Sequence, residues 1–131
     1  MIELNILGVI AATFIGLILG GLWYSPLAFG PAWMNCIGKT PESLGKQTVP
    51  LIGSIVSSFL AAIGIALLYS FMNISDFSTA LTIGAILGVL IIFPALLSDN
   101  LFCGWGNKLL LIQSGYRVTS IILMSLAIHL V

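Results

Sequence analysis

Four apolar stretches, each about as long as a bilayer is thick, decide what this chain can fold into. They run from about Ile2 to Tyr24, Val49 to Met72, Phe77 to Leu97 and Leu109 to Val131. A hydrocarbon core about 30 Å deep is crossed by roughly 20 residues of α-helix. Backbone groups inside it find partners only within their own segment, so each stretch has to be helical. Little chain is left over: of 131 residues, 60% are apolar and 6% charged. A water-exposed surface calls for roughly a quarter charged residues, so lipid has to be the solvent. The sequence predicts an all-α membrane protein, multi-pass in the cell membrane. Its form is a single integral domain over residues 1–131, a bundle of four transmembrane helices with a short interfacial helix in the first loop. The first stretch carries Glu3 where a signal peptide has basic residues. It also outlasts a signal-peptide core of roughly 7–15 residues, and it is read as a retained helix.

The connections differ in character. Ser25 to Thr48 is the longest, and its Ser25-Pro26 and Gly30-Pro31 steps break the first helix. Thr40-Pro41-Glu42 then has the form of an N-cap, an N1 proline and a first-turn acid, which would open the short surface helix. Phe29, Trp33 and Met34 would dip into the membrane interface there. Asn73-Ile74-Ser75-Asp76 is a tight turn in which Ser75 or Asp76 can cap the next helix. Ser98 to Lys108 holds Asp99, Asn100, Gly104, Gly106 and Asn107, all turn or cap formers. Lys39, Lys46 and Lys108 fall in connections one and three while the second has only Asp76, so loops one and three are expected to be cytoplasmic. Cys36 and Cys103 lie in those same two connections, and the sequence leaves open whether they pair.

Inside lipid, helices associate where small residues let backbones approach, and rows at four-residue steps mark the contact faces. The first helix carries Gly8, Ala12, Gly16 and Gly20; the third carries Ala80, Gly84 and Gly88; the second offers Ser54, Ser58, Ala62 and Ala66. Such rows either pack one bundle or join subunits, and because four helices bury limited surface a homo-oligomer is expected. Pro94 should bend the third helix and free a carbonyl one turn earlier. A faint repeat is visible as well. Ser25-x-x-x-Phe29 and Ser98-x-x-x-Phe102 are each followed by a tryptophan, Trp33 and Trp105, as in two parallel halves.

Arg117 is the residue that composition does not explain. It lies nine positions past Lys108, about 13–14 Å down the fourth helix. An ionisable group at that depth costs roughly 2.5–3.5 kcal/mol on the mildest scale, so it should face protein or water and have a partner. Asp99 is the expected one; Tyr24 ends the first helix at that level, and Gln113, Ser114 and Tyr116 surround the arginine. Two readings are open: a hydrated pocket for a polar or anionic solute, or a structural ion pair with a snorkelling side chain. His129 is expected at the interface, Glu3 and Asp76 at the opposite surface, and Trp23, Tyr24, Trp33 and Trp105 in an interfacial belt.

Other chemistry is not expected. No carboxylates pair on a helix face, no Ser/His/Asp set can gather near one boundary, and no glycine loop has phosphate-cradling form. No Cys/His cluster has metal-ligand spacing, and no basic patch fits nucleic acid. The expectation is no enzyme, no cofactor and no metal, with the bilayer and further copies of the chain as partners.

Leu22-Trp23-Tyr24-Ser25-Pro26-Leu27-Ala28-Phe29-Gly30-Pro31-Ala32-Trp33-Met34, followed by Gly38-Lys39-Thr40-Pro41-Glu42, resembles the signature of the bacterial domain-of-unknown-function family numbered 1761. Leu110-Leu111-Ile112-Gln113-Ser114-Gly115-Tyr116 is similar to the start of that family's last helix, so the resemblance spans the chain. It implies a small four-helix membrane protein with no assigned activity. Family members often carry a charged residue where this chain has Cys103-Gly104-Trp105, a departure that weakens any role for that turn. The four-helix small multidrug exporters centre an acid in helix one, whereas Ala11 to Leu22 here holds no charge, which disfavours proton-coupled cation export. Two functions remain from different classes. One is an oligomeric pore or carrier with its site at Arg117, Asp99, Gln113, Tyr24, Ser114 and Tyr116. The other is a structural or accessory module that associates through the faces of Gly8, Ala12, Gly16, Gly20, Gly84 and Gly88.

Overall fold

A computed structural model of the chain describes residues 3–131, and these form an all-helical bundle. In chain order the elements are α1 (Ile6–Trp23), α2 (Gly30–Ile37), α3 (Thr48–Met72), α4 (Phe77–Ala85), a π-helical segment (Ile86–Ile92), α5 (Phe93–Cys103) and α6 (Asn107–Leu130). α4, the π segment and α5 run on as one rod, Phe77–Cys103, so four helices are long and apolar enough to cross a membrane.

On α1 most large apolar side chains point outward and the small ones inward. Ile10, Phe14, Ile18 and Leu22 are exposed at four-residue steps, while Gly8, Ala12 and Gly16 are buried on the other face. A soluble protein would hide the first set; here hydrocarbon solvates it, and close backbone approach holds the bundle. α6 is the hub. It packs against α1, α2, α3 and each part of the third span; α1 also packs on α3, but α3 and the third span meet chiefly across α6. Val9, Ala12, Ala62, Ile65, Ala66, Ile121, Met124 and Ile128 form the core where α1, α3 and α6 converge.

The small-residue rows are occupied within the chain. A methyl group on Gly84 would lie 2.8 Å from the Ile122 Cα and one on Gly88 3.2 Å from the Val118 Cα, so α4 and the π segment lie directly on α6. Gly16 faces Ser58, Ser120 and Met124, and Gly20 faces the Tyr116 ring. Gly8 is different: its neighbour is the Asn5 side chain, whose Oδ1 accepts from the Gly8 N–H at 3.0 Å and caps α1.

Several boundaries differ from the sequence reading. α1 begins at Ile6, because Asn5 is its cap; the expected start at Ile2 lies outside the described residues. The short helix is Gly30–Ile37, not a helix opened by Thr40. Pro31 stands in its first turn, where a missing N–H is harmless. Thr40 and Ser43 instead bond each other reciprocally, with Thr40 N–H to Ser43 Oγ at 2.8 Å, and Gly45 at φ 77° ends that turn. The third span continues through Ser98, Asp99 and Asn100 to Cys103. Buried Asn100 stops it: its carbonyl accepts from the N–H groups of Gly104, at φ 68°, and Trp105, while its side-chain amide donates to Gly106 O at 3.1 Å. Ser98–Phe102 is thus helical while Ser25–Phe29 is a run of turns, so the apparent repeat has no common local structure. Pro94 acts over a longer range than a simple kink: the ladder before it widens, and the Phe93 N–H donates to Gly88 O, five residues back.

Candidate functional site

Arg117 lines a cavity between α1, α3 and α6, at the end of the bundle that holds α2. α1 and α6 run antiparallel, with the Trp23 Nε1–H donating to Ile112 O at 3.0 Å and the Tyr116 hydroxyl donating to Gly16 O at 2.9 Å. Those two bonds fix the register. They also make Arg117 shallower than its distance from Lys108 implies, because the first turns of α6 overshoot α1 and lie beside α2. Five residues separate Ile112, level with the end of α1, from Arg117, roughly 7–8 Å. That depth is within reach of a snorkelling guanidinium.

An aromatic wall carries the arginine. Its Cζ lies 5.3 Å from the Tyr116 ring centroid, a cation–π contact. Tyr24 meets Tyr116 edge-on at 5.5 Å, and Trp33 from α2 meets Tyr24 edge-on at 5.4 Å. Arg117, Tyr116 and Tyr24 line a cavity of about 320 Å³ with Gly20, Leu51 and Ser54. Arg117 also borders a second space of about 100 Å³, between α3 and the end of the π segment, with Ser57, Ser58, Ser120 and Ile92.

The other expected site residues are not brought together with it. Asp99 is exposed on α5 and is not among the residues lining either of Arg117's cavities. Once the third span runs on to Cys103, Asp99 is held on a helix face instead of in a loop free to reach across. Gln113 lines a separate cavity of about 320 Å³ with Cys36, Ile37 and Trp105, turned towards α2. Ser114 is buried and spends its hydroxyl on Leu110 O of its own helix at 2.6 Å. The four-residue spacing of Gln113 and Arg117 therefore does not place them in one pocket.

A model of a family of proteins of unknown function, DUF1761, matches residues 7–129, nearly the whole chain. The chain belongs to that family. No curated protein and no solved structure matches it. For this DUF1761 member, then, the chemistry of the site has to come from its own geometry.

Polar features that the sequence reading passed over lie along the same seam. Ser54 and Ser58 read in the sequence only as small packing residues, yet Ser54 lines the cavity of Arg117, and Ser58, with Ser57 beside it, lines the inner neighbour. Tyr69 of α3 donates to Ser125 O at 2.7 Å and lies 2.9 Å from Ser125 Oγ, which donates to Ala80 O at 2.8 Å; the three link α3, α6 and α4. At the far end of the α1–α3–α6 seam a cavity of about 410 Å³ is lined by Glu3, Asn5, Tyr69, Ser70, Asn73 and His129, among others. His129 packs edge-on to Phe77 at 6.4 Å. Asp76 caps α4, accepting from the Thr79 N–H at 2.9 Å and from the Thr79 hydroxyl at 2.6 Å. These bonds hold its carboxyl below the ordinary carboxylate range. Cys36 and Cys103 are free thiols. Among the described residues, no group of three or more His, Cys, Asp or Glu side chains could hold a metal ion.

Proposed function

We propose that this protein is a carrier for a polar or anionic solute, recognised by Arg117 at one end of the α1–α3–α6 seam, and not an enzyme. The observation that carries the reading is a guanidinium stacked on Tyr116 and bordering an open cavity with the hydroxyl-bearing Tyr24 and Ser54. A guanidinium held against an aromatic ring at the mouth of a cavity is the simplest selector for a carboxylate or phosphate. A carrier fits better than a pore because the far-end polar cavity lies on the same seam, and between the two ends Val9, Ala12, Ala62, Ile65 and Met124 close it. Lys39, Lys46 and Lys108 flank the Arg117 end, so that end is read as cytoplasmic.

The decisive measurement is flux into proteoliposomes, with inorganic phosphate and acetate as probes. Wild type is expected to exceed the protein-free background and Arg117→Ala to fall to it, with Arg117→Lys between them because an ammonium cannot form a two-pronged contact. Equal flux at background in all three removes the reading. A second reading, a non-transporting module that self-associates, is favoured by one observation. α3 keeps Gly53 and Gly64 facing open space, where an added methyl group would have no neighbour within 4 Å.

A further inference from the structure

Beside α6, the bundle is unfinished. α3 and the third span diverge on either side of it, and a furrow of about 250 Å³ runs between Gly64 and Leu68 on one wall and Leu87, Ile91 and Ile92 on the other, with Ile121 at its base. All three third-span residues belong to the π-helical segment, so the stretch of widened helix is the stretch that forms the wall. π-helical turns inside α-helices are found frequently at functional sites. Along the furrow towards the α2 end, the next space shares Ala61, Ile92 and Ile121 with it, and borders Arg117. An apolar slot open to the acyl chains thus leads to a single fixed cation with serine hydroxyls around it.

We infer that this furrow holds an anionic phospholipid of the surrounding leaflet, with one acyl chain between α3 and the π segment and the phosphate at Arg117. The inference rests on Arg117 as the anion-recognising group and names the ligand class. The dimensions agree. From Ser57 to Leu68, the α3 residues that line the two joined spaces, the helix rises about 16–17 Å, room for most of an extended fatty-acyl chain. The charge agrees as well, since Arg117 is exposed at its end of the slot and attracts phosphate there more strongly than lipid surface alone would. A zwitterionic lipid would fit the slot and bring a phosphate too, but its own cation offsets the attraction to the guanidinium, so an anionic headgroup is held more tightly.

The test uses wild-type protein in phosphatidylcholine nanodiscs carrying a small fraction of phosphatidylglycerol with a photoactivatable group midway along one acyl chain. Labelled residues are mapped by mass spectrometry. Labelling is expected to concentrate on residues 61–68 and 87–92, and to be competed by unlabelled phosphatidylglycerol but not by phosphatidylcholine. In Arg117→Ala it should drop roughly tenfold at equal lipid, the loss expected for one charge-assisted contact. Gly64→Phe fills the slot from a position with open space beside it and should abolish the competed labelling at unchanged helix content. Labelling spread evenly over outward faces such as Phe14 and Ile18, or equal competition by both lipids, overturns the inference. So does a peptide–peptide cross-link joining two chains through Gly64→Cys, which would put a second copy in the furrow. If Gly64→Phe leaves the competed labelling intact while Arg117→Ala removes it, the furrow inference fails and Arg117 as anion selector stands. If Arg117→Ala changes neither labelling nor phosphate flux, both fall.

Discussion

Gly84 shows how much one absent methyl group governs in a bundle held by contact alone. The position its Cβ would take is 2.8 Å from the Ile122 Cα, which is backbone and cannot rotate away. Gly84→Ala must therefore push α4 off α6, and overpacking of this kind costs roughly 1–3 kcal/mol. Thermal unfolding in detergent should show a clear loss for Gly84→Ala and none for Gly64→Ala, whose new methyl group meets nothing. At Gly16 the nearest obstacle is the Ser58 hydroxyl, a rotor, so Gly16→Ala should fall between the two. Arg117 is governed by charge and not by close contact. That it was the chain's anomaly was legible from its charge in an apolar stretch. Its partner was not, because stacking on the adjacent Tyr116 and the extension of α5 past Asp99 depend on where helices end. Gln113 and Ser114 share the reason: side chains on neighbouring faces of one helix are sorted by what packs against it, here α2 for Gln113 and the helix's own carbonyl for Ser114.

At the scale of elements, caps and hydroxyl links decide how the rods are held. The Asp76 carboxylate closes the start of α4, and its folded pKa is depressed by the two Thr79 bonds. A depressed carboxylate contributes stability that is fully present above its unfolded value, about 3.9, and is lost as pH falls through the folded value. Wild type should therefore melt higher than Asp76→Ala at neutral pH, and the gap should close as the pH is taken below 4. A gap that persists in acid would show that the cap does not act through its charge. Tyr69, Ser125 and Ala80 link α3, α6 and α4 in one network. Ser125→Ala should cost roughly 0.6–1.7 kcal/mol, from the average to the upper end for hydrogen bonds between helices inside lipid. Combined with Tyr69→Phe it should cost less than the sum of the two, since both alter one network; strict additivity in a double-mutant cycle would separate them. The four spans and the Asp76 cap were readable because length, apolarity and cap chemistry are local. The short helix was misplaced because Thr40-Pro41-Glu42 and Gly30-Pro31 are both plausible starts. The choice fell to Pro31, with Trp33 free to pack on Tyr24, while Gly45 leaves no room for a helix after Thr40. The π segment was foreshadowed only as a bend at Pro94, since a widened ladder leaves no mark in residue spacing.

For the whole molecule, the arrangement around α6 gathers both connections that carry the lysines at one end. Cys36 near the end of α2 and Trp105 just after α5 line one cavity, and Cys103 closes α5 beside it, so the native thiols report on the same face as Arg117. Asp76, between α3 and α4, stands at the other end with Glu3 and His129. If the lysine-bearing end is cytoplasmic, a maleimide that cannot cross membranes should label neither Cys36 nor Cys103 in intact cells. It should label exposed Cys103 readily, and half-buried Cys36 more slowly, once the cells are opened. Asp76→Cys on a Cys36→Ser, Cys103→Ser background should give the reverse, reacting in intact cells. Labelling of Cys103 from outside would invert the protein. The Arg117 cavity would then face away from the cytoplasm, and the lipid inferred for the furrow would have to come from the outer leaflet. Reaction of both native thiols on both sides would mean that the chain inserts in two orientations. A membrane protein with three lysines and one arginine has few charges with which to prevent this, because the positive-inside bias acts through their number near the span ends.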